Sequence, residues 1–99
     1  MFDKLEECKS RFNQLETELS KPETVANQEL YKKLTREHAS LSDIVEQYDA
    51  YRSVTRQIAE LKQMENDSDP DIAAMARDEL EALEEQEKRK AEALRFLLL

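Results

Sequence analysis

The sequence holds one thiol and one imidazole, at Cys8 and His38, and these are its candidate nucleophile and general base. Both lie on apolar stripes with helical spacing, where a thiol or a half-buried imidazole packs as part of a core. No Ser or Cys nucleophile has an evident path to His38, so no set of nucleophile, base and orienting group can be assembled. One Cys and one His also provide too few ligands for a structural zinc site. We therefore expect no catalytic residue, no metal site and no cofactor.

Carboxylates are abundant, and one segment in the last third of the chain is crowded with them: Asp78, Glu79, Glu81, Glu84, Glu85 and Glu87. A divalent cation could bind such a cluster loosely, because it prefers oxygen ligands. The alternative is a solvated helix face, which needs no ligand to explain it. We favour the solvated face.

The absence of Gly from all 99 residues excludes several ligand-binding loops. A Walker loop, a Rossmann fingerprint and an EF-hand loop each require Gly at fixed positions. Tight two-residue β-hairpins mostly require it as well, so the sequence favours an all-α fold. No run of about 18 apolar residues and no signal-peptide pattern is present. With its single Cys, the chain fits the reducing cytosol, and we expect a cytoplasmic protein.

The formal net charge is −8, and it is unevenly distributed. Residues 1–59 carry 11 acidic and 9 basic side chains, whereas residues 60–92 carry 12 acidic and 5 basic ones. Such a chain should not bind nucleic acid through a general electrostatic footprint. Two local basic groups remain, one of Lys32, Lys33 and Arg36 and one of Arg52 and Arg56. They are either solvated helix faces, the simpler interpretation, or points of contact with phosphate.

Periodicity and two breaks predict three long helices, over residues 2–19, 28–65 and 70–98. The first has an apolar stripe at Phe2, Leu5, Cys8, Phe12, Leu15 and Leu19. Pro22 ends it, and Ser20 with Glu23 has the form of a capping box that starts a short helical turn. Asn27 is the expected N-cap of the second helix, and Asp69, followed by Pro70, that of the third.

The apolar stripe of the second helix changes direction halfway. Leu34, His38, Leu41, Val45 and Tyr48 centre on one direction, and Tyr51, Val54, Ile58 and Leu61 centre about 140° away on an ideal helical wheel. Supercoiling shifts a seven-residue repeat by only ~20° per heptad, so it cannot account for the change. We infer one partner helix for each half, which gives an elongated, antiparallel three-helix arrangement around one long central helix. We expect residues 1–99 to form a single helical domain.

The first two helices should pair in a register that places Leu19 near Leu30. In the third helix the apolar stripe stops between Glu84 and Glu92 and returns with Leu94 and Leu97. We expect the three helices to meet in one core cluster, which consists of Cys8, Phe12, Leu34, Leu41, Leu94 and Leu97. The sequence closes on four consecutive apolar residues, Phe96 to Leu99. This ending predicts a piece of a longer protein.

Short segments at the two breaks and at the closing residues have a specific order and spacing. They are Leu-Ser-Lys-Pro-Glu at 19–23, Asn-Gln-Glu-Leu-Tyr-Lys-Lys-Leu-Thr-Arg-Glu at 27–37, Asp-Pro-Asp at 69–71, Met-Ala-Arg-Asp-Glu-Leu at 75–80 and Leu-Leu-Leu at 97–99. Together they resemble the N-terminal helical domain of bacterial class-I peptide chain release factors. The resemblance covers essentially the whole chain and is nearer the type that reads UAA and UAG.

This resemblance implies a soluble bacterial translation factor whose whole chain triggers peptidyl-tRNA hydrolysis at stop codons. The Gly-Gly-Gln hydrolysis loop and the Pro-x-Thr codon reader of that family do not occur in these residues, so no catalytic residue is carried over. The resemblance implies instead that this helical domain reaches the base of the ribosomal stalk and influences recycling by the class-II release-factor GTPase.

If this role holds, the least acidic surface should contact the ribosome, because ribosomal surfaces are rich in phosphate. Its candidate residues are Lys21, Lys32, Lys33 and Arg36. The alternative function is a free-standing helical or coiled-coil adaptor for protein–protein interaction, with no link to translation.

Overall fold

The computed structural model describes all 99 residues, and every regular element in it is helical. The helices are α1 (Phe2–Leu19), α2 (Pro22–Ala26), α3 (Gln28–Met64) and α4 (Pro70–Leu97). The predicted all-α fold with one long central helix is confirmed, and the long helices end within one residue of the expected positions. The structure has four helices rather than three, because the short helical turn expected after Ser20 forms α2 beside the three expected long helices. None of the four is both long and apolar enough to cross a bilayer.

Side chains cap the two longest helices at their N-termini, as predicted. The Asn27 Oδ1 accepts a hydrogen bond from the Leu30 N–H at 3.1 Å, at the start of α3. At the start of α4 the Asp69 Oδ1 accepts from the Asp71 N–H at 2.9 Å, with Pro70 in the first turn. Because the first amides of a helix have no intrahelical acceptor, these bonds fix where α3 and α4 begin.

The predicted capping box at Ser20 is wrong, although the short helix that it announced is present. Ser20 has helical backbone angles, φ −86° and ψ −9°, and is the C-cap of α1, with its hydroxyl donating to the Thr17 carbonyl at 2.7 Å. The N-cap of α2 is Lys21, whose ψ of 133° gives the extended backbone that this position needs. Only Ser20 and Lys21 therefore separate the end of α1 from the start of α2 at Pro22.

The chain divides into two compact units, residues 1–46 and 47–99, and α3 contributes to both. The buried residues of the first unit are Leu5, Leu15, Thr24, Leu34 and Val45. In the second unit a buried cluster joins α3 to α4 and consists of Val54, Ile58, Leu61, Ala76 and Leu80. Tyr48, Ala73 and Leu94 are also buried in that unit.

Most of the predicted α3 stripe is buried, and the exceptions are partly exposed. Six of its nine members are buried, and the other three, His38, Leu41 and Tyr51, are half-buried. The expected core residues Leu34 and Leu94 are buried, but Leu97 is 38% exposed, so its assignment to the core is wrong. Leu97 is the last residue of α4, and a helix end has fewer neighbours to cover it.

Side chains of α1 meet the first part of α3 near His38. The rings of Phe12 and His38 stack with centroids 4.2 Å apart, and the His38 Nε2 lies 3.4 Å from a carboxylate oxygen of Glu16. The Phe12–His38 contact lies at the register that pairing Leu19 with Leu30 predicts. His38 is thus half-buried and packed on an aromatic ring, as the interpretation of it as a core residue expects.

An ion pair with two hydrogen bonds also joins α1 to α3. The Arg11 Nε and Nη2 donate to the two carboxylate oxygens of Glu37 at 2.6 and 2.7 Å. The bond from Arg11 lowers the pKa of Glu37, and the bond from Glu37 raises the pKa of Arg11. Both side chains are solvent-exposed, so the contribution of the pair to stability is small at high salt.

We expect Leu15→Ala to destabilise the protein by about 2–5 kcal/mol, because it removes a fully buried side chain and leaves a cavity. The matched control is Leu99→Ala, since Leu99 is 99% exposed and its truncation should change stability by less than about 0.5 kcal/mol. Urea unfolding of both variants, followed by circular dichroism, measures the two losses. Equal losses would contradict this assignment of the core.

The Arg11–Glu37 pair predicts a pH dependence of stability. The folded-state pKa of Glu37 is below its ordinary value of 4.5, so its stabilisation is present above that value and is lost as pH falls through the lower folded pKa. Glu37→Gln should therefore lower the melting temperature at neutral pH and have progressively less effect as the solution is acidified.

Thermal melts from neutral pH down to about pH 2 test this expectation. Glu29→Gln is the control, because Glu29 is exposed on the same helix and forms no ion pair. A Glu37→Gln effect that is independent of pH would show that packing, rather than ionisation, underlies it.

Candidate functional site

Three exposed cations lie on the first three turns of α3, and they border one surface groove. Lys32, Lys33 and Arg36, which we call the basic patch, line the groove together with Asn27, Glu29 and Leu30. Its volume is about 690 Å³, and it is open to solvent. These three residues are the ones that the sequence placed together as a local basic group.

The helical geometry of α3 directs the side chains of the basic patch toward solvent. Leu34 is buried at 8% exposure, and on a helix its neighbours at two residues' distance, Lys32 and Arg36, point about 160° away from it. The cap at Asn27 fixes the start of the helix and therefore the rotation of this face. Burial of Leu34 and exposure of the patch are thus two results of one helical register.

None of the three patch cations takes part in an ion pair, although the chain has more acidic than basic residues. Nearby cations behave differently: Arg11 pairs with Glu37, and Lys21 pairs with Glu18. After the bond from Arg11, the positive charge of Lys33 also helps to lower the pKa of Glu37. The patch therefore presents three cations without an ion pair to an external anion, although Glu29 also lines the groove.

Lys21, the fourth predicted contact residue, does not line the groove. Its ammonium donates to a carboxylate oxygen of Glu18 at 2.7 Å, and this bond is the main reason that the pKa of Lys21 is raised. An anionic partner would have to compete with Glu18 for this lysine. The structure therefore brings together three of the four predicted residues and leaves Lys21 engaged elsewhere.

The second local basic group has a different environment. The Arg52 guanidinium lies 5.5 Å from the ring centroid of Tyr48, which is buried at 4% exposure. A cation placed against an aromatic ring is held by that contact and by the packing of its aliphatic stem. Arg56, one turn further, is exposed. Arg52 therefore has a structural role that the members of the basic patch lack.

The exposure of two apolar side chains beside the basic patch was not predicted from the sequence. Leu30 and Tyr31 are 38% and 40% exposed, and Leu30 forms part of the groove wall. The signal that points to the surface is position, because both residues lie in the first turn of α3 after its cap, where the helix has few neighbours.

The other residues with candidate chemistry do not assemble into a site. Cys8 is a free, half-buried thiol on α1. Five of the six crowded carboxylates of α4 are exposed and the sixth, Glu87, is half-buried, as on a solvated helix face. No group of three or more His, Cys, Asp or Glu side chains is placed to hold a metal ion.

Comparison with known proteins gives a family match over most of the chain. The PCRF domain family matches residues 8–99. The chain is 44% identical over its whole length to a protein of Oleidesulfovibrio alaskensis named Peptide chain release factor 1, and 38% identical to the protein of that name from Acidobacterium capsulatum. It covers 28% of each of these relatives, so it spans little more than a quarter of their length. No solved structure matches the chain significantly.

Proposed function

Because the chain belongs to the PCRF domain family, matched over residues 8–99, we propose that a protein carrying it acts in translation termination through contact with the ribosome. The resemblance to the N-terminal domain of class-I release factors, inferred from the two breaks and the closing residues, is confirmed by this match and by the relatives. The relatives are more than three times as long as these 99 residues. The activity of such a longer protein, stop-codon-dependent release of the peptide in the cytoplasm, is part of the proposal.

The role that we propose for these residues is binding. The observation that supports it is the basic patch: three exposed cations without an internal partner, around one groove, in a chain of net charge −8. A chain of this composition has no general attraction for nucleic acid, so a local, unpaired group of cations favours contact at one defined place. Ribosomal RNA presents phosphate oxygens, whose negative charge is opposite to that of the patch.

The finer proposal is that the patch reaches the base of the ribosomal stalk, and that the same domain influences recycling by the class-II release-factor GTPase. Both follow from the family resemblance, and the position of the patch on α3 is compatible with them. Leu30 and Tyr31 add exposed apolar surface at the edge of the patch, which suits a contact that includes ribosomal protein as well as RNA.

A free-standing helical adaptor, the alternative function, is not favoured. An adaptor of unrelated origin would have no reason to match the PCRF domain family over residues 8–99, nor release factors over its whole length.

Charge reversal tests the basic patch. We expect the variant Lys32→Glu/Lys33→Glu/Arg36→Glu to bind bacterial 70S ribosomes at least tenfold more weakly than the unaltered chain, because its side chains repel phosphate instead of attracting it. The slope of log affinity against log salt should also fall by about one for each phosphate that the variant no longer neutralises. Titration of ribosomes with fluorescently labelled chain at several salt concentrations measures both quantities.

The control is Lys4→Glu/Lys62→Glu/Arg77→Glu, which makes the same change in net charge at three exposed positions outside the patch. It should bind with nearly unchanged affinity. If the control weakens binding as much as the patch variant, net charge rather than this surface governs the interaction. A crosslinker attached at residue 32 should label components of the stalk base, and labelling confined to other ribosomal regions would refute the finer placement.

The 99-residue chain should bind ribosomes without releasing peptide. It lacks Gly and therefore any Gly-Gly-Gln loop, and no nucleophile and base are assembled in it. A release assay with ribosomes that carry a labelled peptidyl-tRNA and a stop codon in the decoding site measures this directly. Stop-codon-dependent release above the rate without added protein would contradict the expectation.

A further inference from the structure

The packing of α4 on α3 has a gap in its middle. The buried residues of α4 are Ala73, Ala76 and Leu80 near one end and Leu94 near the other. No residue between Leu80 and Leu94 is buried, and the half-buried ones there are Leu83, Glu87, Lys90 and Ala91. Leu83 packs against the buried cluster, but no large apolar side chain follows it on α4 before Leu94, and a groove remains between the two helices there.

This inter-helix groove is lined by Gln47 and Ala50 of α3 and by Arg89, Lys90 and Ala93 of α4, and it has a volume of about 260 Å³. Two of its lining side chains are small and exposed, since Ala50 and Ala93 each end at a methyl group. A volume of this size accommodates one or two aliphatic side chains but no folded ligand. The groove thus combines an apolar floor with cations at one wall.

Lys90 is the unusual member of the groove. It is half-buried, and it forms no ion pair, although α4 is rich in carboxylates. Its neighbour Arg89 has an internal partner, Glu85, at 3.4 Å and is 76% exposed. A partly desolvated ammonium without a counter-charge favours binding of an anion, because the anion replaces interactions that water would otherwise provide.

We propose that the inter-helix groove binds a short acidic segment of a partner protein, with an aliphatic side chain over Ala50 and Ala93 and a carboxylate on Lys90. The apolar floor favours a peptide over a nucleic acid, whose backbone offers no aliphatic group of this kind. Residues 47–99 carry 13 acidic and 8 basic side chains, so an extended polyanion would be repelled outside the groove. A short segment contacts only the groove and avoids most of that repulsion.

This proposal goes beyond ribosome binding and stands on different residues. The basic patch belongs to residues 1–46, and the inter-helix groove belongs to residues 47–99. A variant that abolishes binding at one surface therefore leaves the other surface testable.

The experiment is a titration of the ¹⁵N-labelled 99-residue chain, followed by NMR. The probe is the capped peptide Asp-Asp-Leu-Asp-Asp, and the comparison probes are capped Lys-Lys-Leu-Lys-Lys and a short oligouridylate. We expect the acidic peptide to shift the amide signals of Ala50, Lys90 and Ala93 in a saturable manner. Neither comparison probe should shift them.

Two variants separate the charge from the shape of the groove. Lys90→Gln should weaken binding of the acidic peptide about three- to tenfold, whereas Lys88→Gln, an exposed lysine of the same helix outside the groove, should not. Ala93→Leu leaves the charge unchanged and fills the groove at an exposed helical position, so it should abolish binding while circular dichroism shows an intact fold.

Each other result overturns the proposal. Absence of saturable shifts means that the groove takes no acidic peptide. Equal weakening by Lys88→Gln and Lys90→Gln means that binding depends on the general charge of α4. Binding of oligouridylate at these residues in place of the peptide assigns the groove to nucleic acid.

Discussion

The constraint on which this structure depends is that one uninterrupted helix must bury two apolar faces that point in different directions. α3 runs from Gln28 to Met64 without Gly or Pro, so its backbone offers no place to turn the chain. Its stripe nevertheless changes direction by about 140° near the middle. A single neighbour cannot cover both faces. Leu34 and Val45 of the first face are therefore buried in the first unit and Tyr48 in the second. The second face is buried against α4 in the cluster of Val54, Ile58 and Leu61 with Ala76 and Leu80.

The same constraint decides which cations face solvent. Once Leu34 and Val45 are buried, Lys32 and Arg36 have to point away from the core, because a helix fixes the angle between its side chains. Two other basic residues of the first unit, Arg11 and Lys21, are placed beside Glu37 and Glu18 and are neutralised there. The three cations of the basic patch, in contrast, take part in no ion pair and lie together around one groove. The proposed ribosome contact thus follows from where ion pairs are absent as much as from where cations are present.

The helix ends could be predicted from the sequence because they depend on residues close to them in the chain. Features that depend on tertiary contacts could not be predicted in this way. Pro22, Asn27, Asp69 and Pro70 act within a few residues of themselves, so they located the helix ends correctly. Ser20 misled because its hydroxyl can accept from a backbone amide as an N-cap or donate to the carbonyl of Thr17, and only the backbone angles, helical rather than extended, decide between the start of α2 and the end of α1.

The sequence predicted which residues form the candidate site, but not which of them are already in an ion pair. Spacing alone grouped Lys32, Lys33 and Arg36, whereas Lys21 was added as an equal member and is paired with Glu18. The Arg11–Glu37 pair depends on the register between α1 and α3, which joins residues far apart in the sequence. Compensation of Arg11 is a property of that register and could not be read from charge spacing, whereas Glu18 lies only three residues before Lys21 and was visible in the sequence as a possible partner.

The gap in the packing of α4 on α3 also follows from the positions of the buried residues. Leu80 and Leu94 are both buried and Leu83 packs against the cluster, but residues 84–93 include no large apolar side chain that would draw them onto α3. Such a segment stays helical through its intrinsic propensity and its pairs of opposite charge, as Glu85 and Arg89 illustrate, and does not need burial along its whole length. Ala50 and Ala93 then leave an open groove where larger residues would have closed the interface. The two surfaces therefore have different physical origins: the inter-helix groove lies where α4 is held by buried residues on either side and left uncovered between them, whereas the basic patch lies on the exposed face of α3 opposite Leu34.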